Sequence, residues 1–214
     1  MHDDKLNAPP EPTDEEWANA TTHGIGILIS VIGMIGMIIM LQGHSLGLFV
    51  SCVAYCSSVV LVFVFSTLSH IFSDPHLRTR MRAWDQGTIY MMISGTYTPF
   101  VWQYGGALRT PLLIFLWALA FYGLWQKVVV KRQVNSMVVT TYLLLGWVPT
   151  IPLFPQVPWG CLGGMLLGGV IYSVGVYFLM FDHLGRFFHS IWHLAVITAA
   201  VCHYVVIVNY IVLP

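Results

Sequence analysis

The 214-residue chain is 57% hydrophobic and only 8% charged, with a formal net charge of zero. A soluble domain carries roughly 25% charged residues, so the composition excludes one, and no basic tract points to nucleic acid as a partner. Apolar runs long enough to cross a bilayer, about 20 residues each, recur along the chain and imply a multi-pass protein of the cell (inner) membrane.

The first 12 residues include Pro9, Pro10 and Pro12 and read as a flexible tail. Acidic residues, Asp3, Asp4, Glu11, Asp14, Glu15 and Glu16, precede the first apolar run, unlike the basic start of a cleavable signal peptide. Thr13 and Glu16 have capping-box spacing and predict a short interfacial helix over 14–22, in a segment 13–23 that Trp17 would anchor. Residues 24–214 form the membrane domain, with seven spans expected at 24–41, 46–69, 84–103, 111–130, 137–154, 160–181 and 190–212.

Only helices or closed barrels satisfy the backbone in lipid, and these runs are too long for barrel strands, so the expected fold is an all-α seven-helix bundle. Pro99 should kink the third span. Pro149, Pro152, Pro155 and Pro158, at every third position, predict an extended outer loop. Gly164-x3-Gly168 permits close helix contact, expected within the bundle rather than between copies. Cys52, Cys56, Cys161 and Cys202 lie in apolar runs and read as small buried residues.

Basic residues set the orientation. Lys5, Arg78, Arg80, Arg82, Lys127, Lys131, Arg132 and Arg186 all fall on one side of the seven spans, and only Arg109 on the other. The N-terminus is therefore expected in the cytoplasm and the C-terminus outside. With that orientation, Ser66 and His70 end the second span, Asp85 starts the third, and His189 and His193 start the seventh, all near the inner face. Two histidines four apart on a helix share a face and can share a metal ion. His70, His189 and His193 would supply three nitrogens for a catalytic Zn2+, leaving a fourth position for water. Asp85 could hold that water or act as general base, although an Asp at a span's start is also a common N-cap. Ser66, one turn before His70, could donate a hydrogen bond beside the ion. Glu16, Asn19 and His23 would line one face of the N-terminal helix, to cover the zinc cavity or bind a headgroup, with Glu16 as a remote candidate for a competing ligand. His203 lies about 21 Å along the helix from His189, too far for the same ion. His44, His76 and His183 read as loop residues.

Several motifs together resemble the hemolysin III family, the bacterial branch of the progestin and adipoQ receptor group. They are Glu16-Trp-Ala-Asn19 with Thr22-His23-Gly24, Ser66-Thr-Leu-Ser-His70, Asp85 with Tyr90 and Gly95-Thr-Tyr-Thr-Pro-Phe100, Gly146-Trp147, and His189 with His193. The resemblance implies seven helices, a cytoplasmic N-terminus, and zinc held by the three histidines beside Asp85 and Ser66. Through alkaline ceramidases of the wider superfamily it also implies hydrolysis of a lipid amide or ester, with membrane lipid as substrate. A receptor-like regulator of membrane fluidity with structural zinc is the alternative. A pore-forming cytolysin is disfavoured, because no amphipathic channel-lining stripe is visible.

Overall fold

A computed structural model gives the fold of residues 13–130 and 136–213; the expected tail, Lys5, Lys131 and Arg132 lie outside the described residues. The described chain is all-α. Its helices are α1 (Asp14–Met40), α2 (Leu46–Ile71), α3 (Pro75–Tyr104), α4 (Arg109–Val128), α5 (Ser136–Trp147), α6 (Thr150–Leu153), α7 (Trp159–Met180) and α8 (Phe188–Ile207). A π-helical turn, Val208–Val212, continues α8. Five stretches are long and apolar enough to cross a bilayer: Asp14–Met40, Leu46–Ile71, Gly106–Val128, Trp159–Met180 and Phe188–Val212. The protein is thus a multi-pass membrane protein.

Local chemistry explains the helix starts. Thr13, Ser45 and Asp74 cap α1, α2 and α3, their side chains accepting hydrogen bonds from the backbone N–H of Glu16, Leu48 and Leu77. Pro75 follows Asp74 at a position where its missing N–H costs nothing. This cap puts the start of α3 well before residue 84 and leaves Asp85 about three turns inside the helix. Asp85 is therefore not an N-cap. The expected short helix over 14–22 and the first span are likewise one helix, since Gly24 does not interrupt the backbone ladder of α1.

The C-terminal end of α5, where an extended outer loop was expected, also differs from expectation. Pro149 has helical backbone at ψ −16°, Pro152 lies in the helical turn Thr150–Leu153, and Pro158 adopts extended backbone at ψ 142°. The Phe154 N–H donates to the Thr150 carbonyl at 2.9 Å, and Tyr97 Oη lies 2.5 Å from the Gly146 carbonyl and 2.6 Å from Thr150 Oγ1. These bonds outweigh the extended preference of the proline series. The backbone of α3 stays helical through Pro99.

Helix α2 packs between α1 and α3, α4 against α3, and α7 against α8, while α1 also touches α8. Small residues allow the closest approaches. A Cβ on Gly95 would stand 2.2 Å from Ser58 Oγ and 2.9 Å from Ser58 Cβ. Cβ atoms on Gly160, Gly164 and Gly168 would meet Tyr210, Val206 and His203, so the glycine stripe of α7 packs inside the bundle. Buried hydroxyls bond across helices: Tyr55 Oη donates to the Ala200 carbonyl at 2.6 Å and Tyr204 Oη to the Gly33 carbonyl at 2.8 Å. The outward faces of α1 and α4 present Leu28, Ile32, Ile39, Ile114 and Phe121, as lipid contact requires.

Gly95→Ala should destabilise the chain by about 1–3 kcal/mol through overpacking at Ser58. Thermal unfolding in detergent measures this loss, and adding Ser58→Gly should restore part of it.

Candidate metal centre

Three helix ends meet at one end of the bundle. The last two turns of α2 supply Ser66 and His70, and the first turns of α8 supply His189 and His193. The first turns of α1, with Glu16, Asn19, Thr22 and His23, lie across them. One ring nitrogen from each of His70, His189 and His193 lies within 4.8 Å of the other two. Tetrahedral ligands held 2.0–2.1 Å from zinc stand about 3.3 Å apart, so a modest inward movement of the rings would close the set.

The outer nitrogen of every ring is already engaged. His70 Nδ1 is 2.5 Å from Glu16 Oε2, and His189 Nδ1 is 3.2 Å from Asp182 Oδ2. His193 Nδ1 is 3.1 Å from both the Asn19 carbonyl oxygen and Thr22 Oγ1. Carboxylates and carbonyls only accept, so Nδ1 is the donor in each of these contacts, and a ring held this way can offer a lone pair only at Nε2. His70 Nε2 is buried and has no hydrogen-bond partner. A buried polar atom left orphaned costs stability unless something binds it. Three imidazoles with this orientation, and no thiolate beside them, suit a divalent ion that accepts nitrogen ligands. The cysteines take no part: all four are free, with Cys52, Cys56 and Cys161 buried elsewhere in the bundle.

The surroundings are charged on one side and apolar on the other. Glu16 also pairs with Arg78 and, at 3.4 Å, with Arg82, so its carboxylate bridges α2 and α3 from behind His70. It stands outside the cluster of ligand atoms rather than among them. Asp14 pairs with Arg186 at 3.1 Å, and Glu15 accepts from the Phe187 N–H at 3.2 Å. Phe187 has φ 62°, a left-handed conformation costly for a side chain of its size, just before the helix that carries the histidine pair. The hydrogen bond from the His189 imidazole holds the Asp182 carboxyl below the usual carboxylate range. His23 is buried and stacks on His193 with ring centroids 3.6 Å apart, and both of its ring nitrogens lack partners.

Two spaces adjoin the histidines. An open basin of about 760 Å³ is lined by residues including Glu16, His70, Arg82, Asp85, Asp182 and His189. A smaller cavity of about 80 Å³ lies against His23, Ser66, Asp85 and His189. Asp85 borders both spaces but is not one of the clustered ligand groups. Ser66 Oγ lies beside the Asp85 carboxyl without a hydrogen bond of regular geometry. The smaller cavity shares Ile89, Met92, Tyr142 and Trp192 with an apolar cavity between α3, α5, α7 and α8. His203 lines that apolar cavity instead, its Nε2 3.2 Å from the Met165 carbonyl, and His44, His76 and His183 are exposed.

The structure therefore brings together His70, His189 and His193, and sets Ser66 and Asp85 at their edge. The sequence reading passed over Asp182. It lies in the loop before α8, seven residues from His189, and no helical or strand period relates the two.

The family model described as Haemolysin-III related matches residues 13–204, which include every residue of this centre. The chain belongs to that family. Among its haemolysin-III relatives, Hemolysin-3 of Bacillus cereus is 33% identical over 99% of this chain and 98% of its own length. The Hemolysin-3 homolog of Bacillus subtilis (strain 168) is 34% identical over 84% of this chain and 86% of its own. The monocyte to macrophage differentiation factor of Homo sapiens is 28% identical over 92% of this chain and 84% of its own.

If the haemolysin-III centre binds a divalent ion, His70→Ala, His189→Ala or His193→Ala should each reduce metal uptake by the purified chain well below that of the wild type. Plasma emission analysis after equilibration with Zn2+ measures the stoichiometry. Metal content unchanged in any one variant removes that residue from the ligand set.

Proposed function

We propose that this protein is a zinc-dependent membrane hydrolase that cleaves a lipid amide or ester at the cytoplasmic side of the cell (inner) membrane. The observation that carries the reading is the convergence of three acceptor-held imidazoles beside Asp85, between a polar basin and an apolar cavity. His70, His189 and His193 would hold the ion. Bound there, zinc supplies Lewis-acid chemistry that polarises a carbonyl and acidifies water.

The chain's own residues have separate tasks. Asp85, at the border of both spaces, takes a proton from the attacking water and returns it to the leaving nitrogen or oxygen. The acyl carbon gains the water oxygen and loses the bond to that atom, yielding a carboxylate and an amine or alcohol. Ser66 Oγ, buried and without a regular partner, donates to the substrate carbonyl. The apolar cavity lined by Met92, Tyr97, Phe100, Trp147 and Trp192 takes an acyl chain, and the basin takes the headgroup.

Seven spans complete the architecture. Besides the five apolar stretches, α3 has the length, and α5 with α6 supplies a shorter apolar helical stretch, Val139–Leu153. The basic residues of the inner loops support a cytoplasmic N-terminus and an external C-terminus. The alternative is a receptor-like regulator with structural zinc. The open basin beside His189 favours the hydrolase, since a structural ion is normally closed off.

Asp85→Ala should retain zinc and thermal stability but lose turnover of an acyl amide such as ceramide by at least about a hundredfold, read by product mass spectrometry. Parallel loss of zinc and stability would make Asp85 structural and remove it from the reaction. For topology, alkaline phosphatase fused to the C-terminus should be active in a Gram-negative host, and an inactive fusion would reverse the assigned orientation.

A further inference from the structure

We infer that Glu16 and Asp182 are the positioning residues of the metal centre, each fixing the tautomer and ring angle of one histidine from behind. This inference rests on the reading of His70, His189 and His193 as metal ligands. It assigns a role to the N-terminal acidic turn that helix capping alone does not explain.

The geometry distinguishes this role from a surface ion pair. Thr13 caps α1 by itself, through its side chain, so Glu16 is released from the return half of the capping box. Its Oε2 instead meets His70 Nδ1 at 2.5 Å, and its Oε1 faces Arg78 and Arg82. The two arginines hold the carboxylate in place and keep its other oxygen occupied. His70 is therefore gripped on its Nδ1 edge, with Nε2 left bare toward the cluster. Asp182 does the same for His189 from the loop before α8, at 3.2 Å. His193 needs no carboxylate because the Asn19 backbone carbonyl fills the position, and Ser190 Oγ donates to Asn19 Oδ1 at 2.6 Å to steady that residue.

A carboxylate behind a ligating imidazole sets its orientation and raises its basicity, and removing such a partner typically weakens metal binding by roughly 10–100-fold. The three supports come from three different segments: the first turn of α1, its second turn, and the α7–α8 loop. The centre is thus built by bringing those segments together, not by α2 and α8 alone.

The test uses the purified full chain in detergent, stripped of metal and titrated with Zn2+ against a chromophoric chelator, with Co2+ as a spectroscopic probe. Glu16→Gln should bind zinc at least tenfold more weakly than wild type and shift the Co2+ visible absorption. Asp182→Asn, in an exposed loop where folding is not at stake, should weaken binding in the same direction. Asp14→Asn removes an exposed ion pair to Arg186 from the same turn of α1 and touches no histidine of the cluster, so it should keep zinc affinity within about threefold of wild type. Glu16→Gln and Asp182→Asn that bind zinc within twofold of wild type, while His70→Ala binds none, overturn the positioning role and leave the ligand reading standing. Should Glu16→Gln fail to fold, the Asp182→Asn titration decides alone. A wild-type chain that takes up no zinc overturns both.

Discussion

The imidazole proton governs this structure. A ring can offer a lone pair at Nε2 only if its proton is kept at Nδ1, and Nδ1 keeps it only beside an acceptor. Three rings with lone pairs facing one another would be unfavourable if left in an apolar bundle without partners. Glu16, Asp182 and the Asn19 carbonyl resolve this from outside the cluster. The same contacts join α1 to the ends of α2 and α8. Arg78 and Arg82 of α3 set positive charge behind the Glu16 carboxylate.

Much of this was readable before any coordinates. Composition and run length indicated a multi-pass helical protein, because lipid permits few backbone solutions. The one-sided distribution of Lys and Arg placed Ser66, His70, Asp85, His189 and His193 at a common end, and the structure brings those residues to one end of the bundle. The His189–His193 spacing marks a shared helix face. Asp182 was not readable, because the 3-10 turn Asp182–Leu184 and the left-handed Phe187 determine where it points, and neither has a periodic signature. The start of α3 was misplaced for a related reason. Hydropathy marks where lipid begins, whereas the Asp74 cap and Pro75 mark where the helix begins, and a polar helical extension separates the two.

The surroundings of the centre are split between polar and apolar sides. Charged and exposed groups gather on the basin side, while the smaller cavity leads toward Met92, Tyr142 and Trp192. Asp85 borders both spaces, and Ser66 lines the smaller one. The bacterial relatives and the human one align with most of this chain.

The unbroken course of α1 carries one more implication. At 27 residues the helix is about 40 Å long, rests on its neighbours along one flank and exposes Leu28, Ile32 and Ile39 along the other. Such a rod answers to bilayer thickness, since a span longer than the local hydrocarbon accommodates by tilting. Its foot is the turn that grips His70 and His193. The helix that faces lipid along its length is thus the same one whose first two turns meet the histidine cluster.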